Sequence, residues 1–127
     1  MSVDERLARH GRVSYLEIPA FDAEQSAAFY EAVFGWSVQR RDNGVRTFDC
    51  PGGDLIGRWV TCRVASREPG IMPYIYVDDI EQVVGRVMMR GGEIVKPPYP
   101  EGDLWVATFR DPSGNVLGIW QAGRKHV

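Results

Sequence analysis

Histidine and cysteine are scarce in this chain of 127 residues, with two of each. His10 and His126 stand near the two ends, outside any repeated pattern, and read as solvated side chains. Cys50 and Cys62 lack the paired spacing of a metal knuckle and read as reduced bystander thiols. Asp54, Glu101 and Asp103 fall near turns or loops, where charge is normally solvated, and show no ligand spacing. The chain has no nucleophile elbow, phosphate-cradling glycine loop or Cys-His pair, so the usual signatures of covalent catalysis are missing. Charge of one sign is also lacking. A net charge of -2 offers no basic footprint for nucleic acid or an anionic membrane surface, and neither is expected as a partner. No apolar run is long enough to cross a bilayer, and residues 1–11 alternate charge with small residues, unlike a signal peptide. The expected location is the cytoplasm. With 44% hydrophobic and 25% charged residues, the composition fits one ordinary globular domain.

The chain does contain an internal repeat. A shift of 61 positions lays Thr47, Phe48, Pro51, Gly53, Gly57 and Trp59 on Thr108, Phe109, Pro112, Gly114, Gly118 and Trp120. A shift of 57 lays Ile18, Asp22, Gln25 and Gly35 on Ile75, Asp79, Gln82 and Gly92. The change of shift has a natural home in the proline-rich stretch Lys96-Pro97-Pro98-Tyr99-Pro100, read as a loop, since loops absorb insertions cheaply. One unit is therefore written twice, over about residues 12–62 and 71–122, with a polar linker at about 63–70 inside the stretch Thr61–Gly70.

In the first unit, Val13 to Ala20 reads as a strand. Asp22 with Gln25 makes a capping-box-like helix start; Ser26, Phe29, Tyr30, Val33 and Phe34 recur as one buried face, and Gly35 closes the helix. Trp36 to Arg40, Val45 to Cys50 and Leu55 to Val60 then read as three strands joined at Asn43-Gly44 and Pro51-Gly52-Gly53. The second unit repeats this order. Its strand spans Ile71 to Val77, and its helix starts at Asp79 and Gln82 and buries Ile80, Val83, Val84, Val87 and Met88 before Gly91-Gly92. Strands follow at Ile94 to Lys96, Leu104 to Phe109 and Val116 to Trp120. The expected class is α+β, two βαβββ modules with helices on one face of each sheet and the other face free.

Asp22, Phe29-Tyr30, Phe34-Gly35-Trp36, the repeat through Val77-Asp78-Asp79 and Gly91-Gly92, and Asp111-Pro112-Ser113-Gly114-Asn115 resemble the vicinal oxygen chelate superfamily of glyoxalase I, bleomycin-resistance and extradiol dioxygenase proteins. The resemblance covers about residues 12–122 and implies sheets that form a U-shaped cavity, with helices on the outer face, usually completed within a homodimer. It does not fix an activity, because one fold hosts many.

The superfamily's metal enzymes place His, Gln or Glu at four cavity positions. Counting from the capping aspartates and from the last turns puts these at Tyr15, Gly57, Met72 and Gly118, none of them a suitable donor. No metal or other cofactor is expected. If the resemblance fixes the inward faces, alternation lines the cavity with Tyr15, Glu17, Trp59, Met72, Tyr74 and Trp120, and Trp105 adds a wall or rim. That lining suits a flat, largely apolar or aromatic small molecule. Core filling is the ordinary role of strand aromatics and competes with this for Trp59 and Trp120. Glu17, between Leu16 and Ile18, is the candidate for chemistry as a general base or as an acceptor of a hydrogen bond from the guest; the alternative is that it pairs with an arginine across the subunit boundary or reaches water. Three readings follow: a metal-free binding protein that sequesters or carries its guest, a metal-independent isomerase or cyclase using Glu17, and a metal-dependent glyoxalase-like lyase or dioxygenase.

Overall fold

The computed structural model describes residues 5–123. Its elements are β1 Tyr15–Pro19, α1 Ala23–Phe34, β2 Ser37–Arg40, β3 Arg46–Asp49 and β4 Ile56–Val60, then β5 Tyr74–Tyr76, α2 Ile80–Met89, β6 Glu93–Glu101, β7 Leu104–Arg110 and β8 Val116–Ala122. They form two four-stranded sheets, ordered β1-β4-β3-β2 and β5-β8-β7-β6. In each, the first strand runs parallel to the last and the remaining pairs are antiparallel. The fold is thus α+β with paired βαβββ units, as the repeat implies.

The helix signals act where the sequence places them. The Asp22 carboxylate accepts from the backbone N–H groups of Glu24 and Gln25, and Asp79 accepts from that of Gln82, so each helix has its first orphan donors satisfied. Gly35 ends α1 with φ 72°, a left-handed conformation that glycine adopts without strain. Two local expectations are corrected. Met88 is 58% exposed rather than buried, because the apolar face of α2 is completed by Ile80, Val83 and Val87. The proline-rich stretch is not a loop but part of β6, an outer strand with two register breaks, where prolines remove no essential ladder donor.

A single hydrophobic core joins the two units, with α1 at its centre. Tyr30 stacks on Trp36 at 4.7 Å between ring centroids, and Trp36 stacks on Phe48 of the first sheet at 4.6 Å. On its other side, α1 sends Phe29 and Phe34 to Phe109 of the second sheet, at 6.0 and 5.5 Å. Helix-bearing faces of both sheets therefore turn inward on one core. Their opposite faces turn outward, and the two sheets of one chain do not close a cavity between them.

A buried carboxylate locks this packing. Asp111 accepts from the Tyr30 hydroxyl at 2.8 Å, from Asn115 Nδ2 at 2.9 Å, and from the backbone N–H groups of Ser113 and Asn115. Asn115 in turn donates to the Pro19 carbonyl at 2.7 Å, and the Ser113 hydroxyl accepts from Phe21 N–H. The last turn of the second unit is thereby tied to the β1–α1 junction of the first.

Removing Asp111 strands buried donors, so Asp111→Ala should cost about 3 kcal/mol or more in a denaturant titration, against about 1 kcal/mol for Tyr30→Phe. Burial, with the charge and hydrogen bond of Asp111 adding to it, holds the Tyr30 phenol well above its ordinary range. The native state then keeps a proton that the unfolded chain loses above pH ~10. This stability is fully present below that pH and falls above it, and Tyr30→Phe should flatten the fall.

Candidate functional site

The outward face of the first sheet is polar. Strand alternation places Tyr15 and Glu17 of β1 on it, and register sets Tyr15 beside Ile56, and Glu17 beside Arg58. Arg58 Nε and Nη2 both lie 3.2 Å from Glu17 Oε2. Arg63, just past β4, brings Nη2 to 2.9 Å from Glu17 Oε1. Glu17 is therefore clamped by two guanidinium groups of its own chain, not set among aromatics. The hydrogen bond to Glu17, with the nearby Tyr15 and the charge of Glu17, raises the pKa of Arg58.

The outward face of the second sheet is aromatic. Tyr74 pairs with Gly118, Tyr76 with Trp120, and Trp120 with Val106 of β7. Tyr76 meets Trp120 edge-on at 4.8 Å. Tyr74, Glu101, Leu104, Val106 and Trp120 wall a shallow cavity of about 350 Å³. The Tyr74 ring covers Gly118 so closely that a Cβ at this position would overlap its ring carbons. At 49% exposed, both Tyr74 and Tyr76 remain available to a guest.

Several expected positions move. Gly57 and Trp59 lie on the inward face, opposite Leu16 and Ile18, and Trp59 is 3% exposed against Phe48 and Tyr30. The cause is one residue. Phe48 pairs with Gly57, nine positions on, whereas Phe109 pairs with Leu117, eight on. The first hairpin is longer by one, and a one-residue slip exchanges the faces of a strand. Arg58, not Gly57, thus stands where Gly118 stands in the second sheet. Trp105 also faces inward, half-buried against the core, because its neighbour Val106 takes the outward position. Met72 sits half-buried before β5 rather than on a strand. Sequence reasoning missed Arg58, Arg63, Tyr76, Leu104 and Val106. Counting β4 from Phe48 would have found Arg58, and alternation from Tyr74 would have found Tyr76; nothing in the linker singles out Arg63.

The donor set does not fit a superfamily-type metal. Of the four positions the resemblance implies, three hold Tyr15, Met72 and Gly118, and Arg58 takes the outward place expected of Gly57: a phenol, a thioether, no side chain and a cation. Among the described residues no group of three or more His, Cys, Asp or Glu side chains is placed to hold a metal ion. His10 is exposed, His126 lies outside the described residues, and Asp54 pairs with Arg12 at 3.0 Å. Cys50 and Cys62 are free thiols, and burial, with Asp54 and Asp49 adding, pushes the Cys50 thiol up to about 11, away from a reactive thiolate. No helix among the described residues is long and apolar enough to cross a membrane.

A family model described as Glyoxalase/Bleomycin resistance protein/Dioxygenase superfamily matches residues 12–119. The "Putative glyoxylase CFP32" of Mycobacterium tuberculosis is 32% identical over 131 residues, covering 91% of this chain and 48% of that protein. The chain thus spans about half the length of this curated relative. A "Glyoxylase-like domain-containing protein" of Didymella fabae is 36% identical over 123 residues, covering 87% of this chain and 93% of that one. Among solved structures, TnmS3, an antibiotic binding protein from Streptomyces sp. CB03234, superposes with a TM-score of 0.67 at 24% identity, covering 89% of this chain and 97% of that one.

The two strand glycines separate structural from functional roles. A Cβ at Gly57 would overlap the Leu16 backbone oxygen, which cannot yield, whereas at Gly118 it meets a half-exposed ring that can swing outward. Gly57→Ala should therefore lose about 3 kcal/mol or fail to fold, while Gly118→Ala should stay within about 1 kcal/mol of native stability. Thermal melting of the two variants checks the contrast.

Proposed function

The chain belongs to the Glyoxalase/Bleomycin resistance protein/Dioxygenase superfamily, and on that footing we propose that it binds a small, flat, largely apolar or aromatic molecule and releases it unchanged. The observation that carries this is the second sheet's outward face, where Tyr74, Glu101, Leu104, Val106 and Trp120 wall a shallow cavity and the half-exposed ring of Tyr76 stands against Trp120. Aromatic walls of this kind hold flat guests by stacking and area burial. One protein of the same fold is named for antibiotic binding, which accords with a guest of this class.

A second copy completes the site in this reading. Each chain exposes one aromatic and one polar face on opposite sides of a shared core, so a homodimer that lays the second sheet of one copy over the first sheet of the other forms two equivalent cavities. Such two-fold assembly is the commonest in soluble oligomers. Aromatic groups then wall one side, and Tyr15, Glu17, Arg58 and Arg63 wall the other.

Sequestration or carriage is favoured over turnover because Glu17, the candidate base, has both oxygens engaged by arginines. A metal-independent isomerase or cyclase would need that carboxylate free to take a proton. A lyase or dioxygenase would need donors that the four positions do not offer.

Native mass spectrometry of freshly purified protein tests the reading. A dimer at its apo mass, or with a small organic adduct that dissociates intact, is the expected result; a transition metal bound stoichiometrically after dialysis against zinc, nickel or iron contradicts it. With a guest in hand, Trp120→Ala should weaken binding about tenfold, the loss of one stacking wall, and Glu17→Gln should leave the guest's chemical fate unchanged.

A further inference from the structure

The Glu17 cluster carries more positive charge than it uses. Two guanidinium groups face one carboxylate, and their side chains are 47% and 64% exposed for Arg58 and Arg63. Asp49, on the neighbouring strand of the same face, makes no ion pair with either arginine among the described residues. Exposed ion pairs contribute roughly 0–1 kcal/mol, so folding gains little from drawing a second arginine out of the segment after β4 onto this face. Each guanidinium has five N–H donors in a planar fork, and Glu17 occupies a minority of them. Glu17 also shows the geometry: a carboxylate already sits between the two forks. Tyr15 and Ile56, side by side on the same face, offer an apolar shoulder next to the charge.

We propose that the guest is an acid, a carboxylate on a flat aromatic body, and that Arg58 and Arg63 hold its anionic end. This rests on the binding reading above and names the class of guest. The planar fork matches a carboxylate in two parallel hydrogen bonds, which a neutral amide or ketone cannot reproduce. The ring system lies on the aromatic wall and the acid group points to the arginines. Glu17 is then a positioning residue: it holds the two forks in register and competes with the guest's carboxylate for their donors.

Calorimetric titration of the full chain with 2-naphthoate and, separately, 2-naphthamide tests this, since the two share a ring system and differ in charge. The acid should bind at least tenfold more tightly, about 1.4 kcal/mol. The double variant Arg58→Gln, Arg63→Gln should bring the acid down to the affinity of the amide and leave the amide within about twofold, so that retained amide binding certifies a folded site. Glu17→Gln should tighten the acid several-fold and leave the amide unchanged. Equal binding of acid and amide by the native protein overturns the inference while leaving the binding reading standing, and would mean that protein carboxylates consume the arginine charge. If neither compound binds, the binding reading falls and the inference with it.

Discussion

The Asp111 carboxylate is the constraint on which the rest of the molecule depends. It is buried, and it accepts from the Tyr30 hydroxyl, the Asn115 side chain and two backbone N–H groups of its own turn. Through Asn115 and Ser113 the same turn reaches the end of β1 and the start of α1. A fully satisfied buried network of this kind specifies one arrangement, because any partial version leaves a polar group without water or partner. What it specifies here is α1 held between two sheets, which decides that both helix-bearing faces point inward and both bare faces point out.

The two outward faces differ chemically although they belong to one repeated unit. In the first, Glu17 pairs with Arg58; in the corresponding place of the second, Tyr74 lies over Gly118. In the proposed dimer, charge on one side and rings on the other make complementary halves of a cavity. A guest with an aromatic body and an acidic end would meet both, provided the halves come from two copies. The missing donors at the superfamily's metal positions belong to the same picture, since an arginine and a covered glycine stand where ligands would have to be.

The fold was legible in the sequence because its signals are local and doubled. Asp22 and Asp79 cap helices, Gly35 ends one, and the repeat carries the strand order from one unit to the other. The candidate site was half legible. Tyr15 and Glu17 share one face, and Tyr74 and Trp120 another, as alternation implies; both faces turn outward from the core, which only the structure shows. Gly57 and Trp59 do not face outward, because the repeat aligns them with Gly118 and Trp120 while the longer first hairpin shifts the strand by one residue. Identity of residues and identity of register are separate properties, and only hydrogen-bond pairing fixes the second. The proline-rich stretch misled for a related reason: proline forbids a central strand, not an outer one, and order within a sheet is a long-range property. Arg63 carried no signal at all, since its role comes from how the segment after β4 folds back.

The central claim is that one site is built from the first sheet of one copy and the second sheet of another. Mixing two binding-deficient proteins tests it most directly: one carrying Trp120→Ala, the other the double change Arg58→Gln, Arg63→Gln, unfolded together, refolded and titrated with 2-naphthoate. In a mixed dimer one cavity gathers all the substitutions and the other none, so random pairing should restore tight binding at about a quarter of all sites. No recovery, in a mixture shown to contain mixed dimers, would place each site within a single chain and contradict the account.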